Sequence, residues 1–263
     1  MAQTYIFTSN GMIMKYSIFG EGSKPLIIIP GISIKHVTDV ANAVENQFSL
    51  LLKDFKIYLF DRRDDISVGY SVRDMVDDLA MALKKLDIKK ACVFGASQGG
   101  TIAILLALYY PEFVEKVLSA SAPYGDISES GKKALQVWAD FAARKDIKAL
   151  AISFADMIYS LATLKVSKEI IVNSVLDCTD KDLEHFNLLC RSVIDYDYRD
   201  PIENITVPVL AIGSEGDRFF GAKPAREIAK KTKGEFYIYP AEFGHAVYDE
   251  ASDFINRIYD FFK

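Results

Sequence analysis

Short unbroken apolar runs punctuate this chain, and amphipathic segments lie between most of them. The runs "PLIII" (25–29), "KIYLF" (56–60), "ACVF" (91–94), "VEKVLSA" (114–120), "VPVLAIG" (207–213) and "EFYIY" (235–239) are of strand length. They do not alternate with polar residues, as expected of strands covered on both faces in a parallel sheet. Two further β-prone runs, "TYIFT" and "MIMKYSIF", flank Ser9-Asn10-Gly11 and read as a hairpin, because Asn-Gly favours a two-residue turn. Elsewhere the period is helical. Ser71 and Asp74 open "SVRDMVDDLAMALKKL", where Val72, Met75, Val76, Leu79, Leu83 and Leu86 trace one face. Residues 98–110 read as a second helix ended by Pro111, Pro224 starts another, and "YDEASDFINRIYDFF" is the last. This alternation predicts an α/β fold with a mostly parallel, doubly wound sheet and helices on both faces.

One segment breaks the alternation. Residues 126–200 contain helical patterns only, including "SGKKALQVWADFAARK", "IKALAISFADMIYSLA", "SKEIIVNSVLD" and "DKDLEHFNLLCRSVIDY". That is too long for an ordinary connection, so a helical cap, or lid, inserted into a core of residues 1–125 and 201–263 is the economical reading. Its apolar side chains Trp138, Phe141 and Met157, with Phe154, Tyr159 and Phe186, are candidates for a pocket wall or for the lid's own core. Ser33, after the third strand, is a further pocket candidate.

The chemistry centres on "VFGASQGGTIAI" (93–104), where Ser97 stands between Gly95 and Gly99 as a strand-like run becomes a helix-like one. Gly-x-Ser-x-Gly in that context is the pattern of a nucleophile elbow. The serine is forced into a strained conformation that projects its hydroxyl from the sheet edge, and the glycines allow strand and helix to approach. A serine hydroxyl needs a base. Of the three histidines, His36, His185 and His245, the last follows the final strand, at the edge where Ser97 should sit. The base in turn needs a carboxylate to orient it. Asp217, in the loop after the preceding strand, is favoured over Glu215 and the more distant Asp126.

Ser97, Asp217 and His245 stand in the chain order of α/β-hydrolases, and the sequence resembles that superfamily over essentially its whole length, particularly the small, lid-bearing serine esterase-like members. The resemblance implies an oxyanion hole made by the backbone N–H groups of Ile32, in "IIIPGISIKH", and Gln98. It implies acyl transfer on a small ester-type substrate with no metal or organic cofactor. A serine nucleophile sets the chain apart from the haloalkane dehalogenase and epoxide hydrolase branches, which use a carboxylate. C–C bond hydrolysis, cofactor-free perhydrolase or haloperoxidase-type chemistry on the same residues, and a non-catalytic ligand-binding role, stay open at this level. Relatives often carry Asp-x-Arg-Gly-x-Gly-x-Ser after the fourth strand; here "DRRDDISVGYS" lacks the early glycines, and Asp61, Arg62 and Arg63 read as a loop-stabilising network.

Composition adds mostly exclusions. A net charge of −5, with no basic block, gives no electrostatic reason to expect nucleic acid or an anionic membrane surface as a partner. No apolar stretch approaches the roughly 18 residues of a membrane span, and the N-terminus lacks the pattern of a secretory signal. Cys92, Cys178 and Cys190 lack metal-ligand spacing and read as buried thiols, so a cytoplasmic location is expected. Oligomeric state is not legible.

Overall fold

In the computed structural model, residues 1–9 and 11–263 are described. The turn expected at Asn10 therefore falls on a residue outside them. The apolar runs form β1 (Gln3–Ser9), β2 (Met12–Phe19), β3 (Lys24–Ile29), β4 (Phe55–Arg63), β5 (Ala91–Ala96), β6 (Val114–Ala120), β7 (Val209–Ser214) and β8 (Glu235–Tyr239). The helices are α1 (Ala41–Gln47), α2 (Val72–Lys85), α3 (Gln98–Tyr109), α4 (Glu129–Ala143), α5 (Ile147–Ile158), α6 (Leu161–Asn173), α7 (Asp180–Asp195), α8 (Lys223–Thr232), α9 (Val247–Glu250) and α10 (Phe254–Phe262).

The strands build one eight-stranded sheet in the order β1-β2-β4-β3-β5-β6-β7-β8. β2 pairs antiparallel with β1 and β4, and every other pair is parallel. Successive strand residues face opposite sides of the sheet, and here both sides are covered. In β3, Ile27 and Ile29 enter one hydrophobic cluster while Leu26 and Ile28 enter the other; in β5, Val93 goes one way and Cys92 and Phe94 the other. That double coverage is why the runs do not alternate. One face packs α2, α3 and α8; the other packs α10 through Phe254, Ile258 and Phe262, one turn apart. α3 is buried along nearly its whole length, which accounts for its apolar character all round.

Connections from β3 run to β4 on one side and, after α2, to β5 on the other. Beside β3 the strand order reverses, and in open α/β sheets ligands bind at the carboxyl ends of the strands near such a point. Between β6 and β7 lie the four helices α4–α7. Each has an N-cap side chain accepting a backbone N–H three residues on: Ser128 from Gly131, Asp146 from Ala149, Ser160 from Thr163 and Thr179 from Asp182.

Two expectations differ from the structure. The C-terminal segment is not one helix, because Ala251 is extended (φ −87°, ψ 118°) and separates α9 from α10. The short α1, with no apolar stripe in "ANAVENQ", was not expected at all.

Candidate active site

Ser97 stands between β5 and α3 with φ 54° and ψ −123°, a left-handed conformation that costs a non-glycine residue of order 1–3 kcal/mol. Its surroundings enforce that conformation. A Cβ on Gly95 would lie 2.1 Å from the carbonyl oxygen of Gly99, and one on Gly99 would lie 2.2 Å from that of Ile29. Only glycine lets β5, α3 and the end of β3 approach so closely. The loop after β3 then runs against the serine: a Cβ on Gly31 would sit 3.1 Å from Ser97 Cβ and 3.7 Å from its Oγ. Gln98 is the first residue of α3, so its N–H has no carbonyl one turn earlier in the helix to bond.

His245 lies in the loop after β8 and is 1% exposed. Its Nδ1 is 2.9 Å from Asp217 Oδ2, in the loop after β7. The other carboxylate oxygen, Oδ1, accepts the backbone N–H groups of Phe219 at 2.8 Å and Phe220 at 3.0 Å. The rings of Phe219 and Phe220 meet the imidazole edge-on, with centroids 5.2 and 5.3 Å away. Ser121, itself left-handed (φ 50°), donates its hydroxyl to the His245 carbonyl at 2.7 Å. The imidazole is thus fixed by both its ring and its main chain. Its outer nitrogen, Nε2, is buried and has no hydrogen-bond partner among the described residues, Ser97 Oγ included.

Both loops also hold the turn between α5 and α6. Arg218 donates to the carbonyls of Asp156 and, at 2.9 Å, Tyr159. Glu250 accepts the N–H of Ser160 at 2.7 Å on one oxygen and that of Gly244 at 2.5 Å on the other. Ala246 N–H reaches the Ile158 carbonyl at 3.1 Å.

A cavity of about 360 Å³ opens on these groups; Ser97, His245, Ile32 and Ser33 are on its wall. α5, α6 and the residues just after each supply Ala151, Phe154, Ile158, Tyr159, Ile171 and Val175. The expected pocket residues Trp138, Phe141 and Met157 are not among the lining. Trp138 is fully buried one layer behind Phe154, its ring centroid 4.8 Å from that of Phe154 and 5.1 Å from that of Phe219, and its indole N–H meets Ser153 at 3.2 Å. Phe141 lies under Arg144, and Met157 packs against the main hydrophobic cluster, as does the buried Phe186. The competing carboxylates lie elsewhere: Glu215 pairs with Arg226 at 2.6 Å, and Asp126 is exposed.

The charges after β4 form a network around the β3–α1 loop. Asp61 Oδ2 accepts Val37 N–H at 2.6 Å and lies 3.2 Å from His36 Nδ1. The buried Arg62 donates to the Gln98 side chain at 2.7 Å, and Gln98 passes a hydrogen bond to Ser192 on α7 at 3.0 Å. No sequence signal pointed to that Arg62–Gln98–Ser192 chain. His185 is half-buried, with Nε2 3.0 Å from the Arg63 carbonyl, and burial lowers its pKa. The Asp61 carboxylate, 3.2 Å away, raises the pKa of His36 against the effect of burial. Burial opposes ionisation of Asp61, but His36, Arg62 and Val37 outweigh it and hold the carboxyl at about 2. A raised histidine pKa gives stability that is fully present below the ordinary value and lost as pH rises through the folded one. His36→Gln is therefore expected to cost more stability at about pH 5.5 than at about pH 9. Urea unfolding at the two pH values measures this, and equal losses would count against a charged His36–Asp61 pair.

A family model for the alpha/beta hydrolase fold matches residues 24–252. The chain belongs to the alpha/beta hydrolase family. Among curated relatives of this hydrolase, 3-oxoadipate enol-lactonase 2 of Acinetobacter baylyi is 22% identical over 215 residues, covering 80% of this chain and 78% of that protein. The AB hydrolase superfamily protein YisY of Bacillus subtilis is 27% identical over 274 aligned positions, covering 97% and 96%. Among solved structures, MGS-M2, an alpha/beta hydrolase enzyme from a Medee basin deep-sea metagenome library, superposes with a TM-score of 0.86 at 24% identity, covering 98% of this chain and 97% of that one. Among the described residues of the hydrolase, no helix is long and apolar enough to cross a membrane, and no group of three or more His, Cys, Asp or Glu is arranged to hold a metal ion.

Proposed function

We propose that this hydrolase cleaves carboxylic esters or related acyl compounds with Ser97 as nucleophile, His245 as general base and acid, and Asp217 as the carboxylate that orients it. The observation that carries the reading is a strained serine on the same cavity wall as a buried imidazole whose Nε2 is unpartnered while its Nδ1 is tied to a carboxylate. With Nδ1–H donated to Asp217, the lone pair sits on Nε2, the nitrogen available to a serine proton.

In the first half-reaction His245 Nε2 takes the Ser97 proton as Oγ bonds to the substrate carbonyl carbon. The oxygen, now negative, is received by the N–H groups of Ile32 and Gln98; each such donor is worth about 100- to 1,000-fold in kcat. Collapse breaks the bond to the leaving group, which takes the proton from Nε2 and departs as an alcohol. In the second half a water gives its proton to Nε2 and attacks the acyl-enzyme, Oγ leaves with that proton, and the acid is released. None of these steps calls on a metal or an organic cofactor. Helices α4–α7 act as a cap over the core, with α5 and α6 shaping the acyl or alcohol pocket. The cavity volume suits a small substrate, and similarity to a protein named as a lactonase, whose substrate class is a cyclic ester, favours ester chemistry. Turnover of short-chain aryl esters, with little or none of vinylogous diketones, is the expected outcome of a side-by-side kinetic assay. The reverse preference would replace the ester reading by C–C bond hydrolysis.

A further inference from the structure

The proposed chemistry leaves one charge on the cavity wall without a role. Asp249, on α9, lines the cavity with its edge exposed, while burial against the wall, with the adjacent Glu250, pushes its carboxyl up to about 6, so it is ionised at neutral and higher pH. The other charged side chains of that wall have counterions within the protein: Lys35 Nζ is 2.8 Å from Asp177 Oδ1, and His36 is held by Asp61. His245 faces Asp217. Asp249 has none; among the described residues no Lys, Arg or His nitrogen lies within 4.0 Å of its carboxylate. Its side-chain partners among the described residues are neutral donors, the Gln47 amide at 3.3 Å and the Tyr159 hydroxyl at 3.4 Å, both on the same wall. The adjacent Glu250 adds a second negative charge but is turned to the N–H groups of Gly244 and Ser160.

The remainder of the wall is mostly aliphatic and aromatic. A carboxylate beside such a surface interacts with a ligand charge more strongly than one in bulk water. Tyr159, whose hydroxyl reaches Asp249, and the neighbouring Tyr248 share that wall, and the electron-rich faces of aromatic rings favour cations. An uncompensated carboxylate next to tyrosine rings is the chemistry that recognises an ammonium group and repels an acid. We infer that Asp249 selects substrates carrying a cationic group away from the scissile carbonyl. This rests on the ester-hydrolase reading for the identity of the reacting group, but not for the charge preference itself.

Binding and turnover separate the two. In Ser97→Ala protein, which keeps the cavity without the nucleophile, calorimetry compares acetylcholine with neohexyl acetate, the same shape with carbon in place of the charged nitrogen. The cationic ester is expected to bind about ten-fold more tightly. Adding Asp249→Asn should bring the two affinities together, with thermal melting to verify that the double variant is folded. Equal affinities in Ser97→Ala protein, binding of neither ester, or a preference that survives Asp249→Asn would overturn the inference. Wild-type turnover is scored apart: if Ser97→Ala protein prefers the cation while wild-type protein hydrolyses neither ester, the cation site stands and the ester reading falls.

Discussion

Alanine at Ser97 is expected to abolish covalent labelling by a fluorophosphonate and to lower ester turnover by about 10⁴- to 10⁶-fold. The size follows from what is removed. In the proposed mechanism the hydroxyl is the atom that forms the acyl bond, and the other serines on the wall do not replace it: Ser33 and Ser174 lack the left-handed backbone that presents Ser97 at a strand-to-helix turn. The backbone should survive the change. Ser97 keeps its left-handed geometry through Ser97 N–H to the Ala120 carbonyl at 2.7 Å and through the tight approach of Gly95 to Gly99, neither of which involves the hydroxyl. Alanine in the wild-type backbone thus isolates the nucleophile from the fold. His245→Ala should suppress labelling at Ser97 by about 1,000-fold or more, since the serine then has no base. Mass spectrometry locating the adduct reads both results. An adduct on another residue, or one on Ser97 that forms equally fast without His245, would sink the mechanism.

Asp217→Asn should reduce kcat by about 10⁴-fold while leaving the melting temperature close to wild type. The reasoning turns on which way the amide must face. Oδ1 accepts two backbone N–H groups, from Phe219 and Phe220, and only the amide oxygen can take that place. The NH₂ is then left facing His245 Nδ1 at the 2.9 Å position now held by Oδ2. Two donors cannot share that contact, so the imidazole shifts its proton to Nε2 and loses the lone pair that would accept the serine proton. The substitution is nearly isosteric and keeps the two backbone bonds, hence the modest effect on stability. Retention of kcat within ten-fold would show that Asp217 does not set the tautomer.

Much of this was readable from the chain because the relevant signals are local. Double coverage of the sheet writes itself as unbroken apolar runs, and the close packing around Ser97 as glycines two positions either side. Asp217 and His245, picked out by their places after the last two strands, meet at 2.9 Å because the parallel order brings those strand ends to one edge. The pocket was not legible for a physical reason. Helical spacing shows that Trp138, Phe141 and Met157 belong to apolar faces, but not which neighbour those faces meet. In the fold Trp138 is sealed behind Phe154, and it is Phe154 that reaches the wall. The Arg62–Gln98–Ser192 chain joins three distant segments by side-chain geometry alone, which no periodicity encodes.

The grip of the two loops on the α5–α6 turn is made almost wholly to main-chain atoms of the turn: the carbonyls of Asp156, Ile158 and Tyr159 and the N–H of Ser160. Such contacts are blind to side-chain identity. The faces of α5 and α6 that look into the cavity can therefore be rewritten, provided the turn's backbone path is kept and residue 160 is not proline, without disturbing the loops beneath. The opposite holds at Gly244, where a Cβ would lie 2.7 Å from the Ile158 carbonyl oxygen. Under the proposed mechanism, variation in what this protein accepts and constancy in how it reacts would fall on the two sides of a single turn, which makes that turn the natural seam for exchanging one substrate preference for another.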